Sequence, residues 1–486
     1  MWKTLILALG LWISCGQAVD NQAKSVFRMN LPEGLKTLDP AFASDKRSLI
    51  MCAQLYNGLV ELDSALGIQP ALARSWEIDS SGTKYTFHVR TGVEFHQNTC
   101  FDNKTRLLKA SDVVFSFTRL CDPATAASGA WIFNGKVAGL KAFKAGEADH
   151  ITGFQAPDDS TVVIQLNEPF PPFLGLLSMP YAFVVPHEAV SHYDERFAQN
   201  PVGTGPFRFF RWTEGQHLII HKNPDYFESG LPYLDAVSVR FIPSRLSGFV
   251  EFLQGNMDMV DGLDDAFKDE VLLPDGSIKP DFGDRYQVLM APQLNTEYLA
   301  FLLEENELTN DHPLQDVRVR RAFNYAIDRK QLVSYLLNGM GYPANAGFVP
   351  QGMPGHDPVA VPGFHYDAKK ARSLLAEAGF PDGKGFPKLT LHSTPQYAAI
   401  SEFVQKSLER IGVEMRIQNM QGGALRTDSK AARLRFWRAS WIVDYPDAEN
   451  YLALFYSKNI PPNGPNVTRF QQPAFDRLYQ QARRQP

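Results

Sequence analysis

The sequence has few cysteines, no excess of basic residues and no apolar run long enough to span a membrane. Lys and Arg number 48 against 53 Asp and Glu in the 486 residues, which gives a net charge of −5. A chain without a basic excess lacks the electrostatic footprint of a nucleic-acid-binding protein. A membrane-spanning helix needs about 20 apolar residues, and no stretch approaches that length. We therefore expect neither a nucleic-acid partner nor a membrane-spanning segment.

Motifs typical of enzymes and metal sites are also missing. No G-x-S-x-G nucleophile elbow occurs. Gly379–Lys384 is shorter than a P-loop and lacks the Ser or Thr after its Lys, which indicates a loop following a helix. His187 and His192 are five residues apart, so a helix would place them about 140° apart, on different faces. The sequence thus predicts no catalytic residues, no metal site and no cofactor.

The composition is that of a large globular protein. Hydrophobic residues make up 44% of the chain, and the charged fraction of 21% is ordinary for a folded protein. A single hydrophobic core stops growing at roughly 250–300 residues. The length therefore predicts two or three domains.

Residues 1–18 have the pattern of a secretory signal peptide. Lys3 precedes the apolar run Leu5–Ile13, and Gly16 and Ala18 place small residues at a signal-peptidase site. An alternative reads Cys15 as the lipid-anchored cysteine of a lipoprotein. Both alternatives predict an exported protein.

Export places the remaining cysteines in an oxidising compartment. Cys52, Cys100 and Cys121 match no zinc or redox spacing. Cys100 and Cys121 could form a disulfide across the loop and helix between them, or remain free thiols. Cys52, in an apolar run, is predicted to be a buried core thiol.

Strand patterns dominate the early part of the chain. Tyr85–Val89 alternates apolar and polar residues, as a half-buried strand does. Ser111 is predicted to cap the helix that follows it.

The last third has the pattern of an α/β domain. Val317–Asn338 predicts one helix ended by Gly339, and Asp367 is expected to cap a helix over Ala368–Ala378. A strand at Leu389–His392, a helix at Tyr397–Ile411 and a strand at Val413–Ile417 then form a βαβ unit.

A series of phrases occurs in the order in which a known family carries them. They are Pro70–Glu77, Tyr85–His96, Ser111–Phe117, Gly203–Phe207, Val319–Arg329 and Trp441–Asp447. Together they resemble the bacterial family 5 extracellular solute-binding proteins, which include the oligopeptide- and dipeptide-binding components of ABC importers. The resemblance runs from about Leu38 to the last residue.

This resemblance implies an α/β, two-lobed periplasmic-binding-protein-like fold with an inserted extra domain and a hinged ligand cleft. Residues 20–62 and 190–285 would form a discontinuous lobe I, residues 63–189 the inserted domain, and residues 286–486 lobe II. Family members continue further and return to lobe I, so we expect a chain truncated at its C-terminus.

The resemblance also implies a ligand-binding site in lobe II. Asp444 would meet the ammonium of a peptide, and Arg438 would lie near its carboxylate. Ser440 to Asp444 would run beside the ligand main chain, with Trp441, Tyr445 and Trp131 as apolar walls. Structural alternatives stay open: Asp444 could start a turn, Arg438 could form a structural ion pair, and Trp441 could belong to the core.

The expected function is capture of oligopeptides or dipeptides in a closing cleft and delivery to an ABC transporter, without chemistry. The expected partners are a peptide, the membrane permease and the ATPase of the importer. The protein is expected to be a periplasmic monomer. Alternatives are a nickel chelate, haem or a sugar as ligand, and an exported peptidase.

Overall fold

The computed structural model describes residues 25–263, 265–289, 293–462 and 464–484. The predicted signal peptide and Cys15 lie outside these ranges. Within them, no helix combines the length and the apolar character needed to cross a membrane.

The strands are short and number fourteen in the described residues. They are β1 (Val26–Asn30), β2 (Val60–Leu62), β3 (Ile68–Pro70), β4 (Ala73–Ile78), β5 (Lys84–Val89), β6 (Phe154–Asp158), β7 (Thr161–Gln165), β8 (Phe207–Thr213), β9 (His217–Lys222), β10 (Ala236–Arg240), β11 (Asn295–Phe301), β12 (Leu389–Ser393), β13 (Met415–Asn419) and β14 (Phe436–Ile442).

The α-helices surround these strands. They are α1 (Lys46–Leu55), α2 (Ala110–Cys121), α3 (Leu140–Lys144), α4 (Phe173–Leu177), α5 (His187–Tyr193), α6 (Arg245–Leu253), α7 (Asp265–Val271), α8 (Pro280–Gly283), α9 (Val317–Ala326), α10 (Arg329–Leu336), α11 (Ala368–Glu377), α12 (Ala398–Glu409), α13 (Gly422–Lys430), α14 (Glu449–Leu452) and α15 (Pro473–Ala482).

Three four-stranded sheets organise the described chain, and β2 and β3 form a separate pair. The first sheet has the order β1-β10-β9-β8, the second β4-β5-β7-β6 and the third β11-β14-β12-β13. The second sheet is antiparallel throughout. In the third sheet β12 runs parallel to β13 and β14, whereas β11 is antiparallel to β14.

The first two sheets share one hydrophobic core, and the third has its own. One cluster of buried side chains extends from Met29 through Phe87 and Phe117 to Phe241. The helix-covered face of the third sheet is built around Leu391, Phe436 and their neighbours. The chain therefore packs as a large body with two sheets and a second body built on the third sheet.

A buried ion pair ties α2 to the N-terminal segment within the larger body. The Arg119 guanidinium donates to both carboxylate oxygens of Asp39, at 3.0 and 2.5 Å, and also lies over the ring of Phe197. Only 13% of the Arg119 side chain and 5% of that of Asp39 are exposed. Because the pair is poorly hydrated, removing one partner leaves a buried charge without compensation, which is strongly unfavourable.

The predicted strand and βαβ unit are confirmed. Tyr85, Phe87 and Val89 of β5 are buried while the residues between them are not. β12, α12 and β13 follow in order, and β12 and β13 are parallel, with Leu389 opposite Met415.

Helix starts agree with the prediction at Asp367 and differ at Ser111. Asp367 caps α11 by accepting a hydrogen bond from the Lys370 backbone N–H. In α2 the N-cap is Lys109, and Asp112 reaches back to accept from the Lys109 backbone N–H at 2.8 Å. The prediction of Ser111 as the cap is therefore wrong, because the carboxylate of Asp112 satisfies the first free donor.

The single helix predicted over Val317–Asn338 is two helices, α9 and α10. Ile327 is extended, and the Asp328 carboxylate accepts from the backbone N–H of Gln331, which caps a new helix. The apolar spacing continues across this break, so periodicity alone did not reveal it.

Of the two alternatives for Cys100 and Cys121, the structure has the free thiols. Cys121 ends α2 inside the core, whereas Cys100 is partly exposed. Burial raises the pKa of the Cys121 thiol to about 12 and that of Cys100 to about 11. Cys52 is fully buried, which confirms its prediction as a core thiol.

We expect Asp39→Ala to lower the free energy of unfolding by about 3–5 kcal/mol, because it leaves the Arg119 charge buried without a partner. Urea unfolding followed by circular dichroism measures this. Glu414→Ala is the matched control, since it breaks the exposed pair with Lys388 and should cost about 1 kcal/mol or less. Equal losses in the two variants would contradict the importance of the buried pair.

Candidate ligand-binding site

The candidate site lies where β14 ends, in the middle of the third sheet. Asp444 is the second residue after the strand, and the Val443 backbone N–H still donates to the Leu294 carbonyl on the β11 side. Since β14 is parallel to β12, Asp444 lies at the edge where both strands have their carboxyl ends. In α/β sheets that edge is the usual place for a ligand.

The two edges of β14 differ in how completely they are paired. On one side β11 pairs with the strand over its whole length, with Ser440 opposite Glu297 and Trp441 opposite Thr296. On the other side β12 pairs at one position in the described chain, where His392 faces Trp437. The end of β14 nearest Asp444 therefore keeps one edge free of a strand partner.

A buried amide connects Asp444 to Trp441. The Asn450 side chain is only 4% exposed. Its Oδ1 accepts from Trp441 Nε1 at 2.8 Å and from the Asp444 backbone N–H at 3.2 Å, while its Nδ2 donates to Asp444 Oδ2 at 3.3 Å. One side chain thus orients both the indole and the carboxylate, and the sequence did not single it out.

The Asp444 carboxylate is in contact with solvent but incompletely hydrated. Desolvation by the surrounding protein raises the pKa of this carboxyl, and the hydrogen bond from Asn450 opposes that shift. The residue as a whole is nevertheless exposed. No cation pairs with Asp444 among the described residues. The arrangement leaves a carboxylate that a cationic group would stabilise.

Aromatic residues of the larger body approach the same carboxylate. Burial raises the pKa of the Tyr181 phenol, and the negative charges of Asp444 and Asp45 add to this, so Tyr181 lies within electrostatic range of both. Trp131 packs edge-on against Tyr181, with 6.4 Å between ring centroids. Trp131 thus packs on Tyr181, which no sequence motif marks, and the contact of Trp131 with a ligand stays a prediction.

Arg438 is engaged by protein groups. It forms an ion pair with Glu297 of β11, and its guanidinium carbon lies 3.3 Å from the ring centroid of Tyr397. Only 12% of its side chain is exposed. These contacts correspond to the structural alternative, and contact with a ligand carboxylate stays a prediction.

Tyr445 lies in the interior. It is 6% exposed and joins the core of the larger body. It packs closely against α4, since a Cβ added at Gly175 would lie 3.4 Å from the Cβ of Tyr445. Its hydroxyl donates to Glu449. The turn after β14 thus places this ring in the core of the larger body, and its contact with a ligand as an apolar wall stays a prediction. Trp441 and Ser440 are partly exposed.

We expect Asn450→Ala and Trp441→Phe to be energetically coupled by about 1 kcal/mol in a double-mutant cycle of unfolding free energies. The reason is that each removes one side of the same buried hydrogen bond. Trp76→Phe in the second sheet is the control and should be additive with Asn450→Ala. If the unfolding free energies are additive in both cycles, the Trp441–Asn450 hydrogen bond does not contribute to stability.

Comparison with known proteins places this geometry in a family. The family model described as bacterial extracellular solute-binding proteins, family 5, matches residues 67–463. The haem-binding protein A of Haemophilus influenzae is 30% identical over 440 residues, covering 88% of this chain and 76% of that protein.

Solved structures show the same architecture. The unliganded open form of the periplasmic murein tripeptide-binding protein MppA superposes with a TM-score of 0.76 at 25% identity, covering 95% of this chain and 86% of that one. The Helicobacter pylori periplasmic binding protein DppA, in complex with the peptide STSA, has a TM-score of 0.71 at 27% identity with the same coverage. The mixed α/β sheets and these matches confirm the predicted two-lobed fold, and the chain belongs to the bacterial extracellular solute-binding proteins of family 5.

Proposed function

We propose that the protein captures peptides with a free N-terminus and delivers them to an ABC importer in the periplasm. The observation that carries the proposal is the Asp444 carboxylate, which has no cationic partner in the described chain and lies beside the free edge of β14. The mechanism is binding and handover without chemistry. The permease and the ATPase of the importer would be its partners, and the protein would act as a monomer.

The peptide ammonium would form an ion pair with the carboxylate of Asp444. A carboxylate with reduced hydration gains from an opposite charge more than one in bulk water does, because the surrounding dielectric is lower. Desolvation raises the pKa of Asp444 in the free protein, and a bound ammonium would lower that pKa again by stabilising the carboxylate. The carboxylate in turn offsets the cost of burying the ammonium, because the buried charge then has an opposite charge beside it.

The free edge of β14 would bind the peptide main chain. Peptide groups at this edge that point away from β11 can pair with an extended ligand, as in strand addition. Such bonds do not depend on side-chain identity. Trp441, Tyr181 and Trp131 would provide apolar contacts around the first ligand residues.

The domain assignment that goes with this function follows the expected boundaries. Residues 20–62 and 190–285 would form lobe I, 63–189 the inserted domain and 286–486 lobe II. The positions of the three sheets support it, since each lies within one of these units. Because the first two sheets share a core, we expect lobe I and the inserted domain to move as one body when the cleft closes.

The relatives support a peptide ligand. MppA binds murein tripeptide and the DppA structure contains the peptide STSA. Haem-binding protein A has a different ligand, so haem serves as the competing ligand in the test.

We expect Asp444→Asn to weaken binding of a free tripeptide by about 30-fold or more, which corresponds to about 2 kcal/mol. The N-acetylated tripeptide, which has no ammonium, should bind weakly to the wild type and be little affected by the substitution. Calorimetry on the purified protein measures both affinities.

Glu402→Gln, an exposed acid on α12, is the control and should bind as the wild type does. Equal affinity for free and acetylated peptides, or unchanged affinity in a folded Asp444→Asn variant, would contradict the assignment of Asp444. Tight binding of haem with no binding of peptides would contradict the peptide ligand.

Peptide affinity should fall as the pH is lowered, and the fall should begin at a higher pH than it would for an aspartate with an ordinary pKa. The pKa of Asp444 is raised in the free protein, so its carboxylate is lost as pH falls through that raised pKa. Binding to an ammonium requires the ionised form, so below that pKa the carboxyl must release its proton for the peptide to bind, which weakens the affinity. Calorimetry between about pH 7 and about pH 4, near the ordinary range of carboxyl groups, measures the decline. Asp444→Asn should remove this pH dependence, and its persistence would assign it to another group.

A further inference from the structure

A concave pocket on the third sheet is lined by cationic side chains. Its polar lining consists of Arg416 and Gln418 of β13, Thr390 and His392 of β12, and Arg433 and Arg435 just before β14. These segments come together because β12, β13 and β14 are neighbours in the sheet, with β13 at its edge.

The pocket is separate from the candidate peptide site. Arg435 precedes β14 and Asp444 follows it, so the two are separated by the length of the strand, roughly 25–30 Å. The pocket also lies on the face opposite α12, since Leu389 and Leu391 point toward the helix-covered core and Thr390 and His392 alternate with them.

The arginines of the pocket have little anionic compensation. Arg433 lies 3.3 Å from Asp428 and is the one member with a carboxylate partner among the described residues. Arg416 donates its Nε to Thr390 Oγ1 at 2.8 Å, and Arg435 donates its Nε to the Leu308 carbonyl at 2.5 Å. A guanidinium has five N–H donors, so both keep several donors available.

No carboxylate contributes to the pocket lining. A cluster of arginines with a purely structural role would be expected to include the acids that neutralise it. Partial burial lowers the pKa of Arg435. Burial, together with the positive charge of Arg435, lowers the pKa of His312 to about 4. Two of the three arginines of the pocket, Arg416 and Arg435, therefore have no carboxylate partner among the described residues.

We propose that this pocket binds a compact oxyanion, a phosphate or carboxylate group of a small molecule. Planar guanidinium groups donate paired hydrogen bonds to the oxygens of such anions, and an anion would relieve the repulsion between neighbouring arginines. Thr390 and Gln418 offer neutral donors beside them.

The test compares inorganic phosphate with chloride at equal ionic strength on the full chain. We expect phosphate to raise the melting temperature of the wild type and to bind in calorimetry, and Arg435→Gln and Arg416→Gln each to weaken that binding about tenfold or more. Arg410→Gln is the matched control, because this exposed arginine follows α12 across the sheet and should bind phosphate as the wild type does.

A second ligand distinguishes the sources of the oxyanion. Succinate that binds with the same sensitivity to Arg435→Gln extends the site to carboxylates, and binding of phosphate alone narrows it to phosphates. Arg416 is exposed, so Arg416→Gln is expected to fold even if Arg435→Gln does not.

Two results would overturn the proposal: no phosphate effect beyond that of chloride, or phosphate binding that both pocket variants retain. Peptide affinity should be unchanged in the two variants, so the outcome is independent of the function proposed for Asp444.

Discussion

Strand β14 is paired along its whole length by β11 but at one described position by β12, and the ligand site proposed at Asp444 depends on this asymmetry. The paired edge holds the strand in the sheet, while the other edge keeps peptide groups available near the strand end. Because the chain leaves the sheet just before Asp444, the carboxylate is presented beside that free edge. The buried Asn450 amide then bonds to both Asp444 and Trp441, and so fixes the orientation of these two side chains at the end of the strand.

In the proposed function, closure of the cleft would move the third sheet against a larger body with one core. Contacts that cross between them include Tyr445 against Gly175, and Glu168 with Arg483 and Arg484 at 3.3 and 3.1 Å. Partly exposed ion pairs of this kind contribute about 1 kcal/mol or less. A ligand that contacts both bodies can therefore shift the balance between open and closed forms with a modest differential affinity.

Complete and incomplete charge pairs have different roles in this protein. Asp39 and Arg119 satisfy each other in the interior and hold α2 to the N-terminal segment. Asp444, and Arg416 and Arg435 of the pocket, have no ion-pair partner among the described residues, and all three lie where solvent reaches them. Unpaired charge is costly unless something binds to it, which is why both places are candidates for ligands of opposite sign.

The sequence by itself determined the local elements and the family. Alternation in β5, the Asp367 cap and the βαβ unit depend on neighbours a few residues apart. The ordered phrases predicted the solute-binding fold, and they made Asp444 the candidate for ligand binding. Only the tertiary structure decided that Tyr445 is interior, that Arg438 pairs with Glu297, and that Asn450 bonds to both Trp441 and Asp444. It also assembled the arginine pocket from three separate segments. These features depend on contacts between distant parts of the chain, and such contacts follow the path of the folded backbone, which no local pattern encodes.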